Sequence, residues 1–251
     1  MFRVHVTEEL FDWGSPVRLA MSWYDLTQPF HPGIPHSRSL SAPELKTIST
    51  VEEGGSHVQR YGAPTHVGTH VDAPLHFVAD GATIDSLPLD RFAGPAVVLD
   101  LQRDGPEEIP LEDVERAAEA AGGVKAGDIV LVRTGWGGRF DDDETYQRYP
   151  WLAPDVAEWL LNRDIRMLAV DSLSPDQPRA IRPDDWDAYP HHRALLPEGV
   201  LIAENLYLEA VADAGRSLEV MGFPLKLRGG DGAPARFVAR ERSVTGSGIA
   251  R

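Results

Sequence analysis

The stretch Pro154-Asp-Val-Ala-Glu-Trp-Leu-Leu-Asn-Arg-Asp-Ile-Arg-Met-Leu-Ala-Val170 decides the fold class. Its first part has helical period: Pro154 suits a first turn, and Val156, Trp159 and Leu160 fall on one face up to Arg163. From Ile165 to Val170 the pattern changes to a short apolar run bounded by aspartates, which reads as a strand. Working outward, comparable runs bounded by Gly, Pro or Asp occur at Val17 to Tyr24, Ala96 to Leu101, Asp128 to Thr134, Gly199 to Ala203 and Ala235 to Ala239. A second helical segment covers Leu111 to Ala121 after Pro110, and a third is expected at Leu206 to Ala214. Strands alternating with helices predict an α/β architecture whose sheet is parallel or mixed.

Nothing along the chain separates two domains, since there is no internal repeat, low-complexity tract or Pro/Gly/Ser-rich linker. A single domain over residues 1–251 is therefore expected, a size at which one α/β unit buries a sizeable core. Lys and Arg number 24 against 39 for Asp and Glu, a formal charge of -15. A field of that sign repels phosphate backbones and anionic lipid, so neither nucleic acid nor a membrane surface is an expected partner. The first residues lack an apolar signal region and no later run approaches the ~20 residues of a membrane span, so a cytoplasmic setting is expected.

Cysteine is absent, which excludes disulfides, thiolate metal sites and a cysteine nucleophile. The glycines at 230 and 232 with Ala235 fit a dinucleotide-loop spacing, but Pro234 and the strand-like Ala235-Arg-Phe-Val-Ala239 leave no room for the helix it needs. Gly135, Gly137 and Gly138 lack the Lys-Ser/Thr of a P-loop, and no G-x-S-x-G elbow occurs.

The chemistry is concentrated in His66-Val-Gly-Thr-His70-Val-Asp72-Ala-Pro-Leu-His76, three of the nine histidines and an aspartate in eleven residues. A helix cannot gather them, because Asp72 would lie about 200° round from His70 and Pro74 disfavours helix. On a straight strand His66, His70 and Asp72 share a face, yet His66 and His70 would stand roughly 13 Å apart, too far for one ion with ligand bonds near ~2 Å. The chain must bend between them, and Gly68 at the midpoint is where it can. His76, held close by the restricted path around Pro74, is placed either to ligate or to move protons. Clustered His and Asp groups of this kind are costly to bury without a metal. A second patch runs from His191-His192 to Glu204-Asn205-Leu206, where Glu204 ends an apolar strand and is aimed either at solvent or into a cleft at the strand's carboxyl end. Elsewhere, Asp141 to Glu144 reads as a solvated loop, His31, His36 and His57 ride on connections that could line a pocket, and Trp136 and Phe77 serve core packing or a substrate ring.

Together the two patches resemble the cyclase-type metal-dependent hydrolases, a family that includes bacterial kynurenine formamidase and isatin hydrolase. The family pattern H-x-G-T-H-x-D-x-P-x-H is met by His66, Gly68, Thr69, His70, Asp72, Pro74 and His76, and its H-x11-E-N-L element by His192, Glu204, Asn205 and Leu206. Weaker similarities are Asp25-Leu26-Thr27, Arg133 to Trp136, Val170 to Asp176 and Asp231 to Arg236, so the resemblance spans roughly Trp23 to Ala239. It implies a swivelling β/β/α fold, with residues 1–20 as an N-terminal extension, assembled as a homodimer or higher homo-oligomer. It also implies that His66, His70 and Asp72 bind one metal, that Asp72 and Glu204 bridge to a second held by His192, and that His76 is the proton donor and acceptor. The implied cofactor is Zn(II) or Mn(II), one or two per chain, and the implied substrate a small molecule with a carbonyl: an amide, aryl formamide or small cyclic amide. Lactone hydrolysis, a cyclase or dehydratase step, and a non-catalytic metal-dependent binding module are the competing expectations. The chain departs from the formamidases at Gly33-Ile-Pro35-His36-Ser37-Arg38, where their Trp-Pro-Gly-Asp-like segment and its substrate-facing aromatic are missing.

Overall fold

Successive residues of the apolar runs belong to two different cores, and this alternation organises the molecule. In a computed structural model that describes residues 23–181, 188–216 and 218–242, Ala96, Val98, Ile129, Leu131, Met167, Ala169, Leu201 and Ala203 pack into one cluster. Their neighbours Val97, Leu99, Val130, Val132, Leu168, Val170 and Ile202 pack into another. Side chains on a strand point alternately to its two faces, so each run lines both surfaces of one sheet.

In chain order the strands are β1 (Trp23–Asp25), β2 (Glu44–Ser49), β3 (Val58–Gly62), β4 (His70–Asp72), β5 (Ala93–Asp100), β6 (Glu108–Ile109), β7 (Ile129–Arg133), β8 (Trp151–Leu152), β9 (Met167–Val170), β10 (Leu201–Glu204), β11 (Leu218–Pro224) and β12 (Gly232–Glu241). The helices are α1 (Val51–Gly54), α2 (Leu111–Ala120), α3 (Asp143–Tyr146), α4 (Asp155–Leu161) and α5 (Pro190–Leu195). The main sheet runs β12, β11, β5, β7, β9, β10, β4 and returns to β12 through Gly232–Pro234, closing a seven-strand barrel-like ring, with β1 added beside β12. β5, β7, β9 and β10 are parallel to one another, whereas β4, β11 and β12 pair antiparallel, so the sheet is mixed.

The first cluster, joined by Leu26, Val71 and Phe237, fills the ring's interior. The second lies outside, under Val114 and Ala118 of α2, Val156, Trp159 and Leu160 of α4, and Leu195 of α5. A hairpin of β2 and β3 stands apart from the ring, and every residue of β3 is exposed.

The α/β class and the helices near 111–121 and 154–163 agree with the sequence reading, but the helix expected at Leu206 to Ala214 is absent. There the backbone is engaged in extended pairing: Leu206 N–H donates to Val170 C=O, Tyr207 N–H donates to Leu26 C=O, and only a single 3₁₀ turn at Glu209–Val211 follows. Asp141 to Glu144 is not simply a loop either, since Asp142 caps the one-turn helix α3 by accepting from Thr145 N–H at 3.2 Å. The strand expected at Val17 to Tyr24 is described only from Trp23, and the proposed extension at residues 1–20 lies outside the described residues.

Candidate metal centre

The alternation that builds the barrel also decides where the histidines go. Val71 points into the barrel, so His70 and Asp72, one residue either side, point out of it. On the neighbouring strand Ala203 points in and Glu204 out, and the register sets Glu204 directly opposite His70. Three polar side chains are thus presented on the outer face of the ring at the carboxyl end of β10. α5 packs against that end and delivers His192 beside them.

His66 arrives by a bend. Gly68 has φ +70°, a conformation in which a residue without Cβ is strongly favoured, and it brings the His66 and His70 rings to 5.3 Å between centroids. Gly232 on β12 makes room for the returning ring: a Cβ there would sit 2.7 Å from His66 Cε1. The Gly68 carbonyl then accepts from His70 Nδ1 at 2.8 Å. That bond uses the Nδ1 proton and leaves the Nε2 lone pair of His70 facing the cluster.

His70 Nε2 lies 3.3 Å from Asp72 Oδ1 and 3.4 Å from Glu204 Oε2, and His192 Nε2 lies 3.3 Å from both Asp72 Oδ2 and Glu204 Oε1. His70 Nε2, Asp72 Oδ2 and Glu204 Oε1 are all buried without a hydrogen-bond partner among the described residues. Such orphaned atoms are costly in a protein interior unless something else satisfies them, and imidazole nitrogens with carboxylate oxygens form the donor set of a divalent transition metal. The residues therefore fit a metal. Groups able to hold an ion include His66 with His70 and Asp72, Asp72 with His76 and His192, and His66 with His76 and Asp231.

Charge in the centre is distributed unevenly. Burial opposes the His66 imidazolium, but Asp72 and Asp231 outweigh it and lift the group to about 10. Burial likewise opposes charge on His192, and contacts with Asp176, Asp72 and Glu204 raise it well above its ordinary value. Asp72 is held well below the carboxylate range despite complete burial, because His66, His192 and His70 surround it. Glu204 is raised, chiefly by burial, with the Asp72 charge adding to the effect. His76 goes the other way: burial, with the His66 and His192 charges, depresses it to about 4 against the pull of Asp72 and Asp231. It is a neutral base at neutral pH, stacked on His66 at 3.8 Å between ring centroids.

All six residues singled out from the sequence, His66, His70, Asp72, His76, His192 and Glu204, are thus brought together. Two more belong with them. Asp231, immediately before β12, accepts from His66 Nε2 at 2.9 Å and from Thr65 Oγ1 at 2.8 Å, and stands 3.6 Å from His76 Nδ1. Asp176 accepts from the ring Nδ1 of His191 at 2.7 Å and of His192 at 2.6 Å. Both lay within family-like segments of the sequence, but their partners are remote along the chain.

A cavity of about 710 Å³ opens over His66, His76, His192 and Glu204, with Leu40, Phe77, Tyr149 and Leu173 among its apolar walls. Ser37 and Arg38, from the segment that departs from the formamidases, also line it. Phe77 is therefore a cavity residue packed on His192, whereas Trp136 is 1% exposed and belongs to the core, its Nε1 donating to Tyr146 C=O. His31, His36 and His57 are not among the lining residues described. Two further motifs meet each other: Asp171 accepts from Thr134 N–H and Gly135 N–H at 3.0 and 2.9 Å, and burial pushes it up to about 6.

The Cyclase family model, described as "Putative cyclase", matches residues 24–177. A kynurenine formamidase from Bacillus cereus is 32% identical over 225 residues, covering 87% of this chain and 97% of that protein. Among solved structures, isatin hydrolase A from Ralstonia solanacearum superimposes with a TM-score of 0.79 at 23% identity, covering 88% of this chain and 92% of the other. A structure described as a predicted metal-dependent hydrolase from Bacillus stearothermophilus is 30% identical with a TM-score of 0.67, covering 89% of this chain and all of its own.

Proposed function

Because the chain belongs to the cyclase family, we propose that it is a metal-dependent hydrolase that cleaves the C–N bond of an amide, an aryl formamide or a small cyclic amide. The observation that carries this reading is the convergence of three buried, unpartnered ligand atoms, on His70, Asp72 and Glu204, beside a neutral His76 under the cavity. In this proposal His66, His70 and Asp72 would hold one divalent ion, and Asp72, Glu204 and His192 would hold a second. Zn(II) and Mn(II) both suit these ligands. A cation bound there supplies Lewis acidity, polarising the substrate carbonyl and lowering the pKa of water toward about 7.

The protein's own groups do the rest. His76 accepts the proton of the attacking water and returns it to the departing nitrogen, a role for which its neutral state prepares it. Asp231 lies within reach of His76 Nδ1 and steadies the imidazolium formed between the two transfers. Leu40, Phe77, Tyr149 and Leu173 give an apolar enclosure of a size that takes a small ring. The name of the 32%-identical relative, kynurenine formamidase, favours amide chemistry over lactone hydrolysis, a cyclase step or a purely binding role, since a formamidase cleaves an amide C–N bond.

The reading includes a swivelling β/β/α fold type, one catalytic domain over the whole chain, and a homodimer or higher oligomer working in the cytoplasm. The oligomer is supported by the exposed Ile48, Val51, Val58 and Tyr61 of the β2–β3 hairpin. No helix among the described residues is long and apolar enough to cross a membrane. The test is hydrolysis of formanilide and of isatin by zinc- or manganese-loaded protein. The expected result is turnover of at least one, abolished by a chelator and restored by metal. Full metal loading with no turnover of either, or of a wider panel of formamides and cyclic amides, contradicts it.

A further inference from the structure

We propose that Asp176 is a positioning residue that fixes the His192 ring so that its Nε2 lone pair faces the metal centre. The inference rests on the reading of His192 as a ligand. Asp176 is fully buried, and both of its oxygens are taken. Oδ1 accepts from the backbone N–H of His191 at 2.9 Å and from its Nδ1 at 2.7 Å, and Oδ2 accepts from the Nδ1 of His192 at 2.6 Å and its backbone N–H at 3.4 Å. One carboxylate therefore grips the first turn of α5 at both the backbone and the side chains.

The chemical consequence lies at the far side of the ring. An ionised carboxylate only accepts, so the Nδ1 it touches must carry a proton. When a cation takes the place of the second proton, His192 can ligate only through Nε2, the nitrogen 3.3 Å from both Asp72 Oδ2 and Glu204 Oε1. The bond also sets the ring's rotation and makes Nε2 a better electron donor, as carboxylates behind metal-bound histidines do. His70 is treated in the same way by a neutral acceptor, the Gly68 carbonyl. His192, which a helix delivers from outside the strand pair, has a charged acceptor in that place. His191 shares the carboxylate but points elsewhere: among the described residues its buried Nε2 has no hydrogen-bond partner and no ion-holding group includes it.

The test uses zinc and the whole chain. Metal-free wild type, Asp176→Ala, Asp176→Asn, His191→Phe and His192→Ala are titrated with Zn(II) against a chromogenic chelator, and nitrogen-15 histidine spectra are recorded on the zinc-loaded forms. Loss of the acceptor should weaken the tighter competition for zinc at His192 by about 10- to 100-fold in Asp176→Ala. Asp176→Asn offers one acceptor oxygen where two rings need two, so a smaller loss is expected, and this variant carries the test if the alanine form does not fold. His191→Phe should keep wild-type zinc affinity. In the wild type, His192 should show a protonated Nδ1 and a ligated Nε2, a signature that Asp176→Ala loses.

A role limited to capping α5 predicts something different, namely a lower melting temperature of the metal-free variants with unchanged zinc affinity and spectra. That result overturns the inference, as does an equal loss of zinc in His191→Phe. If wild type takes up no zinc, or His192→Ala binds it as tightly as wild type, the ligand reading itself fails. If His192→Ala loses a site while both Asp176 variants keep full affinity, only the positioning role fails.

Discussion

The arc of β5, β7, β9 and β10 and the short strand β4 belong to one closed ring, yet they are held by opposite physics. The arc is apolar on both faces, with Val130, Leu131, Met167, Leu168 and Ile202 showing no measurable exposure. β4 is three residues long and equally buried, but two of the three are His70 and Asp72. The arc can be stabilised by packing alone. The seam depends on polar satisfaction: backbone pairing to β10 and β12, the His66–Asp72 contact at 2.7 Å, and atoms left over for a ligand. A protein that places its chemistry at the seam can vary the site without disturbing the arc.

Removing the shared carboxylate breaks the seam most severely. Asp72→Ala should lose bound metal and all measurable turnover, as read by metal analysis and by assay on formanilide or isatin; retention of full metal content would remove Asp72 from the ligand set. Next in size is His76→Ala, for which kcat should fall by about 10²- to 10⁴-fold with metal content unchanged. Parallel loss of metal in that variant would instead make His76 a ligand. The arc gives the contrasting result: Leu131→Ala should cost about 2–5 kcal/mol in denaturant unfolding, yet the folded fraction should keep its metal.

The pH dependence of the seam is a smaller effect with a definite sign. His66 is raised from 6.5 to about 10, so in the metal-free protein its contribution to stability is complete below pH 6.5 and is lost as pH rises through about 10. A bound cation must displace that proton. Zinc affinity should therefore increase with pH across the same window in which metal-free stability falls, and calorimetry in buffers of different ionisation enthalpy should register proton release on binding. Proton uptake, or affinity that declines between pH 6.5 and 9, contradicts the charge assignment. The smallest effect on activity should come from the hairpin, where Tyr61→Glu is expected to lower the sedimenting mass while metal content stays as in the wild type.

The arc was legible in the sequence because its signals are local. Apolar runs such as Ile129–Val132 and the face made by Val156, Trp159 and Leu160 need no knowledge of what lies opposite them. The bend at Gly68 was legible for a different reason, since metal-ligand distances rule out a straight path between His66 and His70. The closing strand β11 was missed because Leu218–Pro224 contains Glu, Gly and Pro, and its place is set by pairing to β5 and β12 rather than by its own pattern. α5 was missed because six residues beginning Pro190-His-His are too few to show a period, and its start is fixed by Asp176. Asp231 illustrates the limit of local reading. It meets His66 across 165 positions of sequence, and only the return of β12 alongside β4 brings the two together.

The central claim is that the unsatisfied atoms of His70, Asp72 and Glu204 exist to hold a metal. Its most direct test is metal content per chain, by plasma mass spectrometry, on protein purified without added metal and without a metal-binding tag. The account predicts zinc or manganese in stoichiometric amount, two ions per chain when both ligand groups are filled and one when only His66, His70 and Asp72 are. Protein that contains no metal, and takes up neither zinc nor manganese when they are supplied, would contradict it.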